Sequence, residues 1–141
     1  LAVVVTAAVG EGRGRWGGAV PWWGVAAGYA LFLPGAVLHL WAVRANPFYA
    51  GTVRIQEERG QEVVSSGPYG IVRHPGYTGI VLMMAGMALA LGSARALVPV
   101  AGVAALLVAR TALEDRALRR ELPGYEAYAA RIRFRLLPGL W

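Results

Sequence analysis

Residues Gly67 to Gly79 read GPYGIVRHPGYTG and are denser in potentially reactive side chains than any other stretch of the chain. Proline favours the first turn of a helix, so Pro75 predicts a helix start whose unpaired backbone N–H groups attract anions such as carboxylates. An interfacial anchor, in which tyrosine and arginine hold a helix at the lipid headgroups, explains the stretch about equally well. The side chains concerned are Tyr69, Arg73, His74 and Tyr77.

An acidic pair, Glu114-Asp115, follows the last apolar stretch, where the neighbouring charges are otherwise basic. Two carboxylates at this position would suit a cationic group such as an ammonium or a sulfonium. Taken alone, the pair is better explained by exposed i,i+4 ion pairs, Arg110 with Glu114 and Asp115 with Arg119, each contributing about 0.3 kcal/mol. If the pair faces the same compartment as His74, the two clusters together would fit a zwitterionic cofactor.

The tail carries the pattern Gly124-Tyr125-x-x-Tyr128-x-x-Arg131. The spacing of three residues puts both tyrosines on one side of a helix, with Arg131 about one turn further. An arginine-rich amphipathic helix on a membrane surface has the same pattern, and the tail alone favours this interpretation.

Uncharged stretches long enough to cross a bilayer dominate the rest of the chain. The sequence is 57% hydrophobic with a mean hydropathy of +0.48, which is high for a soluble domain. The 28 residues 16–43 and the 21 residues 74–94 carry no formal charge, if His74 is counted as neutral, whereas a spanning helix needs about 20. We predict an all-α integral membrane bundle with a span at 21–43 and a re-crossing helical hairpin at 77–113. His39 lies near the end of the first span, which favours a packing or interfacial role.

The remaining segments are interpreted as parts of a single domain over residues 1–141. Residues 1–10 are expected to be the remnant of a truncated N-terminal span. Residues 44–76 are expected to form a cytosolic loop, and residues 114–141 a cytosolic tail with an amphipathic helix. Within the loop, GTVRI and QEVVSS flank EERG, which predicts two short β-like strands around a turn.

The arginines are distributed unequally between the two predicted sides of the membrane. The turn at 10–18 and the hairpin tip contribute three, whereas the loop 44–73 and the segment from Arg110 onward contribute eleven. The positive-inside rule therefore places the loop and the tail in the cytoplasm. The stretch Gly67–Gly79 and the Glu114-Asp115 pair then face the same compartment.

The composition excludes several classes of site. The chain has no cysteine, and His74 has no second histidine or cysteine at ligand spacing, so neither disulfides nor a metal centre are expected. The net charge of +6 comes from arginines that flank apolar stretches and do not cluster on a polar domain. The expected partners are therefore membrane lipids and an acidic substrate, and not nucleic acid.

The stretch GPYGIVRHPGYTG, the hydrophobic hairpin, the acidic pair and Gly-Tyr-x-x-Tyr-x-x-Arg with a closing Leu-Pro together resemble the isoprenylcysteine carboxyl methyltransferase family. The resemblance covers about 46–141 and implies an integral membrane enzyme that uses S-adenosyl-L-methionine. The related phospholipid N-methyltransferases share the Arg-His-Pro-x-Tyr-x-Gly element. The family usually has two glutamates where this chain has Glu114 and Asp115. The cofactor-binding residues that the resemblance implies are Tyr69, Arg73, His74, Pro75, Tyr77, Gly79, Glu114 and Asp115.

Methyl transfer from a sulfonium is an in-line displacement of an already activated group, so such a protein mainly aligns the reactants and excludes water. An ionised carboxylate acceptor needs no general base and would be oriented by an arginine: Arg73, Arg110 or Arg131. An amine acceptor must lose a proton, which would make His74 or Glu114 the base. The resemblance implies a lipophilic small molecule or lipidated acceptor, most simply a carboxylate.

Two other functions fit parts of the pattern. Membrane sterol and steroid reductases that use NADPH carry a similar Arg-His-Pro-x-Tyr element, but the chain lacks a further basic cluster for the extra phosphate of that cofactor. A non-enzymatic membrane scaffold with a basic, lipid-binding tail is the other alternative. The abundance of Ala, Gly, Val and Arg without Lys indicates a GC-rich coding sequence and hence a bacterial inner membrane protein. The oligomeric state is left open.

Overall fold

The structure is a computed structural model that describes residues 3–6, 20–50 and 55–141. Residues 3–6 are helical, and the described part contains four further α-helices: α1 (Trp22–Ala45), α2 (Pro75–Ala90), α3 (Leu97–Glu121) and α4 (Tyr125–Arg131). Short 3-10 turns occur at Glu57–Arg59, Gly67–Gly70 and Ala94–Ala96. The described residues contain no strand, and the prediction of an all-α helical bundle is confirmed.

Two helical segments are long and apolar enough to cross a membrane. Trp22–Ala45 has 24 residues and Ala94–Glu121 has 28, and an 18-residue stretch within each has a mean hydropathy of 1.5 and 2.0, respectively. Only 17% of each of these 18-residue stretches is buried. In a core helix of a soluble protein, by contrast, most apolar side chains are buried. The shorter α2 is also apolar but has only 16 residues.

The helix boundaries follow from local sequence signals. Helix α2 begins at Pro75, as expected for a residue whose fixed φ suits the first turn. Helix α3 ends just before Leu122-Pro123-Gly124, and Gly124 adopts a φ of 82°, a left-handed conformation that glycine tolerates. Helix α1 continues through Pro34 to Ala45, so this proline does not end the span.

The chain divides into two compact units, the first of which comprises Leu1–Val37 and Gly79–Leu106. In this unit the backbones of α1 and α2 approach closely at glycines. A Cβ added to Gly86 would lie 2.6 Å from the carbonyl oxygen of Gly28, and one added to Gly35 would lie 3.0 Å from that of Gly79. Small residues allow such close contact between apolar helices. A small core in the same unit consists of Val3, Ala88, Ala96 and Val100.

The second unit comprises Leu38–Thr78 and Leu107–Trp141. Its core includes the buried face of α4, formed by Tyr125, Tyr128 and Ala129, together with Leu122. The predicted C-terminal helix is therefore present, but it has only seven residues and its tyrosines pack inside the protein. The interpretation of these tyrosines as membrane-surface packing is wrong.

The prediction of β-like strands in the loop is also wrong where the structure describes it. Residues 61–66 are irregular, and Gln61 Oε1 accepts the N–H of Gln56 at 2.8 Å. Gln56 Nε2 in turn donates to the carbonyl oxygen of Phe48 at 2.7 Å, so side chains satisfy backbone groups that a strand would pair. The other predicted strand lies outside the described residues apart from Ile55. The predicted turn at 10–18 and most of residues 1–10 also lie outside them.

Candidate functional site

A cavity of about 180 Å³ lies within the second unit. Its wall is built from the loop that follows α1, the Gly67–Gly70 turn, the start of α2, the end of α3 and the buried face of α4. Three carboxylates contribute to the lining: Glu62, Glu114 and Glu121. Six aromatic rings also line it: Phe48, Tyr49, Tyr69, Tyr77, Tyr125 and Tyr128. Carboxylates and aromatic faces together favour a cationic, partly planar ligand.

His74 lies on the cavity wall directly before α2 and is 6% exposed. Its ring stacks on Tyr77 with the centroids 5.8 Å apart and the planes at 4°. The Nε2 atom has no hydrogen-bond partner among the described residues, because the nearest carboxylate oxygen, Asp115 Oδ1, is 3.7 Å away. A buried side-chain nitrogen without a partner is uncommon in folded proteins and calls for an explanation.

The carboxylate of Glu114 is held by a hydrogen-bond chain on the cavity wall. Arg110 Nε donates to the hydroxyl oxygen of Tyr77 at 2.7 Å, and the Tyr77 O–H donates to Glu114 Oε2 at 2.7 Å. The predicted i,i+4 pair is also present, with Arg110 Nε 3.8 Å from Glu114 Oε2. The Glu114 side chain is 25% exposed, so its carboxylate is oriented and still accessible to a cation.

Asp115, in contrast, is fully buried and does not line the cavity. Arg73 binds it with two bonds, Nε to Oδ1 at 2.8 Å and Nη2 to Oδ2 at 3.1 Å. Tyr125 donates its hydroxyl to Oδ1 at 2.9 Å, and two further arginines donate to Oδ2: Arg119 at 3.3 Å and Arg135 at 3.1 Å. These contacts occupy both carboxylate oxygens with protein groups. The i,i+4 contact of Asp115 with Arg119 is present, but it is part of a buried network and not an exposed pair.

The remaining predicted site residues divide between the cavity and its surroundings. Tyr69 lines the cavity, its hydroxyl accepts a hydrogen bond from Asn46 Nδ2 at 3.3 Å, and burial raises its pKa to about 12. Arg73 also lines the cavity, although its guanidinium is bound to Asp115. Five predicted residues are not part of the lining: Pro75, Gly79, Arg110, Asp115 and Arg131, the last of which is exposed on α4.

Tyr49 is a cavity residue that the sequence patterns did not single out. Its ring lies against the first turn of α2, where a Cβ added to Gly76 would be 2.7 Å from ring carbon Cε2. Its ring also meets that of His39 edge to face at 5.9 Å, and His39 Nδ1 is 3.2 Å from the carbonyl oxygen of Gly76. Burial, and secondarily the Glu114 carboxylate, raise the pKa of Tyr49. His39 thus has the packing role that its position favoured.

A family model described as phospholipid methyltransferase matches residues 23–123, more than half of the chain. The matched region includes the stretch Gly67–Gly79 and Glu114, and it ends before α4. No match is found among curated proteins.

Proposed function

The chain belongs to the phospholipid methyltransferase family, and from this premise we propose that it transfers a methyl group from S-adenosyl-L-methionine to a carboxylate on a lipophilic acceptor. The family and the two long apolar helices make it a membrane methyltransferase. The cofactor and the acceptor are proposals. One observation carries them: His74, whose buried Nε2 has no hydrogen-bond partner in the described residues, shares a cavity wall with Glu114, whose side chain is 25% exposed.

The lining residues fit this cofactor. Its sulfonium and ammonium are cations, and Glu62, Glu114 and Glu121 put carboxylates on the wall. Its adenine is a planar aromatic group, for which the rings of Phe48 and Tyr49 offer stacking surfaces. When bound, the cofactor supplies a methyl group already activated by the sulfonium.

The protein's own residues then orient the reactants and exclude water. Tyr77 and Arg110 hold the Glu114 carboxylate in one orientation through the bonds of 2.7 Å. His74 offers Nε2 as a hydrogen-bonding group, and the aromatic lining keeps the polar atoms of the site in a low-dielectric surrounding in which their interactions are stronger.

A carboxylate acceptor is supported by the resemblance to isoprenylcysteine carboxyl methyltransferases and by its chemistry, since it is ionised at neutral pH and needs no base. Of the three candidate arginines, Arg110 is the best placed to orient it. Neither Arg110 nor Arg131 lines the cavity, but the Arg110 side chain is 31% exposed and bonds to Tyr77 on the cavity wall beside Glu114, whereas Arg73 is bound to Asp115.

N-methylation of a phospholipid amine is the second candidate, and the family is described as one of phospholipid methyltransferases. The acidic lining favours this route because it suits an ammonium group. The unpartnered Nε2 of His74 favours it as well, because an amine must lose a proton before methylation.

We further propose that the site faces the cytoplasm from a bacterial inner membrane. The support is the arginine asymmetry, with eleven arginines in the loop 44–73 and the segment from Arg110 onward against three elsewhere.

The test uses purified protein in detergent, methyl-labelled S-adenosylmethionine, and two acceptors, a prenylated cysteine and a bacterial lipid extract. We expect label in an alkali-labile methyl ester that mild base releases as methanol. Label that stays on the lipid headgroup after base treatment would show that the acceptor is an amine and not a carboxylate. Absence of S-adenosylhomocysteine binding together with a thermal shift caused by NADPH would overturn the methyltransferase proposal in favour of a reductase.

A further inference from the structure

We infer that the backbone of residues 132–136, here named the tail segment, supports the wall of the candidate site from outside the cavity, and that Arg135 is the residue that positions His74. The tail segment lies beyond the region that the family model matches, residues 23–123. The inference rests on the proposed function for its choice of ligand probe, and on hydrogen bonds within the second unit for everything else.

Three consecutive carbonyl groups of the tail segment bind the chain at the start of α2. The N–H of Arg73 donates to Phe134 at 3.0 Å, the N–H of His74 donates to Arg135 at 2.8 Å, and Thr78 Oγ1 donates to Leu136 at 2.7 Å. Backbone N–H groups at the start of a helix have no intrahelical partners. The tail segment supplies acceptors for two such groups, the N–H of Arg73 and the N–H of His74. The backbone of His74 is therefore held by Arg135 itself.

The side chain of Arg135 makes a second connection to the same histidine. Its Nε donates to Asp115 Oδ2 at 3.1 Å, and the other oxygen of that carboxylate lies 3.7 Å from His74 Nε2. Its guanidinium also lies over the Trp141 ring at 4.8 Å. The N–H of Arg135 donates to the Trp141 carbonyl oxygen at 2.8 Å, which fixes the residue from the opposite side. Arg135 thus constrains both the backbone and the ring surroundings of His74.

Neighbouring arginines do not share this arrangement. Arg119 also donates to Asp115 Oδ2, but its Nη1 donates to Glu126 Oε1 at 2.6 Å, on α4 and not at the start of α2. Arg133 has an exposed side chain, and only its backbone carbonyl contributes, by accepting Arg73 Nη1 at 2.9 Å. R133Q and R135Q each remove one charge and keep the backbone carbonyl, but only R135Q removes a donor to Asp115, which makes R133Q a matched control.

A purely structural role for Arg135 predicts a different result from a positioning role. If the residue only stabilises the fold, its loss reduces the fraction of protein able to bind, while the dissociation constant of the remaining sites stays the same. If it positions His74, every molecule still binds but more weakly. The split between stoichiometry and affinity therefore distinguishes the two roles.

The experiment is calorimetric titration of S-adenosylhomocysteine into wild type, R135Q, R135K and R133Q, with hydrogen exchange of residues 73–78 measured in parallel. We expect R135Q to raise Kd by about tenfold or more at unchanged stoichiometry, since small misplacements in a site carry costs of that order. R135K, which keeps the charge without the fork, should fall between R135Q and wild type, and R133Q should match wild type. Exchange at the Arg73 and His74 amides should be faster in R135Q.

An unchanged Kd for R135Q, or lower stoichiometry at unchanged Kd, overturns the inference. If R135Q does not fold, the Kd of R135K is compared with that of wild type. Equal Kd values for these two proteins then overturn the inference. If wild type binds no S-adenosylhomocysteine, the proposed function fails separately, and unchanged amide exchange at residues 73 and 74 in R135Q then overturns the inference without reference to any ligand.

Discussion

Arg73 and Asp115 form a buried two-bond ion pair in which Nε lies 2.8 Å from Oδ1 and Nη2 lies 3.1 Å from Oδ2, with side-chain exposures of 2% and 1%. The pair joins the residue before His74 to helix α3. Arg73 Nη1 also donates to the carbonyl oxygen of Ile132 at 2.7 Å, which ties the tail to the same point. The charges are thus matched inside the protein, and this pair supports the wall on which His74 lies.

Replacing Asp115 with Asn should destabilise the protein strongly. The substitution keeps the shape of the side chain but leaves the Arg73 guanidinium buried without a counter-ion, which typically costs about 3–5 kcal/mol. Chemical unfolding in detergent measures the change. E126Q is the control, because it removes the same charge from a side chain that is 71% exposed. It should change the free energy of unfolding by no more than about 0.5 kcal/mol. Equal unfolding midpoints for D115N and E126Q would contradict the assignment.

Replacing Glu114 with Gln should weaken ligand binding while leaving the fold intact. The side chain is 25% exposed and carries the accessible negative charge that Tyr77 orients. Loss of one charge-assisted contact of about 2 kcal/mol corresponds to an approximately 30-fold rise in the Kd of S-adenosylhomocysteine. Y77F, which removes the orienting hydroxyl and keeps the charge, should give a smaller rise. If E114Q binds S-adenosylhomocysteine as tightly as wild type, Glu114 does not belong to the site.

The sequence predicted features that depend on local chemistry and missed those that depend on distant contacts. The start of α2 at Pro75 and the span near 21–43 follow from proline geometry and from the length of an uncharged run. Nothing local shows that Phe134 and Arg135 accept the N–H groups of Arg73 and His74, because those partners are about sixty residues apart.

The predictions that proved wrong concern residues whose partners are distant or unexpected in the sequence. Residues 61–66 have the composition of a strand, but strands need a paired neighbour, and Gln56 and Gln61 instead bond to each other and to the loop. Tyr125 and Tyr128 have the spacing of a surface helix, yet their hydroxyls donate to Asp115 and to the carbonyl oxygen of Tyr69. Period and composition show which side of a helix is apolar, and not what covers it.

Stability should fall at alkaline pH because buried tyrosines must remain protonated in the folded state. Burial raises the pKa of Tyr69 to about 12, and it raises the pKa values of Tyr125 and Tyr128 as well. In the unfolded chain tyrosine ionises near pH 10, so above about pH 10 the unfolded state binds fewer protons and the free energy of unfolding decreases. For Tyr69 the loss continues up to about pH 12.

Phenolate absorbance measured against pH, in native and in denatured protein, checks this expectation. The native titration should lag behind the denatured one, and Y69F should show a shallower loss of stability above pH 10 than wild type. Coincident native and denatured titrations would show that these hydroxyls are not buried.

Replacing Gly76 with Ala should disturb the cavity wall that Tyr49 forms. The added Cβ would lie 2.7 Å from the Tyr49 ring and 2.8 Å from its hydroxyl oxygen, so the ring must move away. Overpacking of this kind costs about 1–3 kcal/mol, and the displaced ring should also weaken S-adenosylhomocysteine binding. G70A is the control, since the nearest atom to its new Cβ is the Ser65 carbonyl oxygen at 3.4 Å. Equal behaviour of the two variants would mean that Tyr49 does not pack against this turn.

Replacing Gly86 with Ala should destabilise the contact between α1 and α2 in the first unit. The new Cβ would lie 2.6 Å from the Gly28 carbonyl oxygen and 2.7 Å from Phe32 Cα, which are backbone atoms that cannot rotate away. The helices must separate, at a cost of about 1–3 kcal/mol that exceeds the gain of up to about 1 kcal/mol from replacing a helical glycine. G102A on α3 makes the same replacement where no atom lies within 4 Å of the new Cβ, so it should leave stability unchanged or raise it. Thermal unfolding in detergent compares the two, and a G86A protein as stable as G102A would show that the two backbones are further apart than this contact requires.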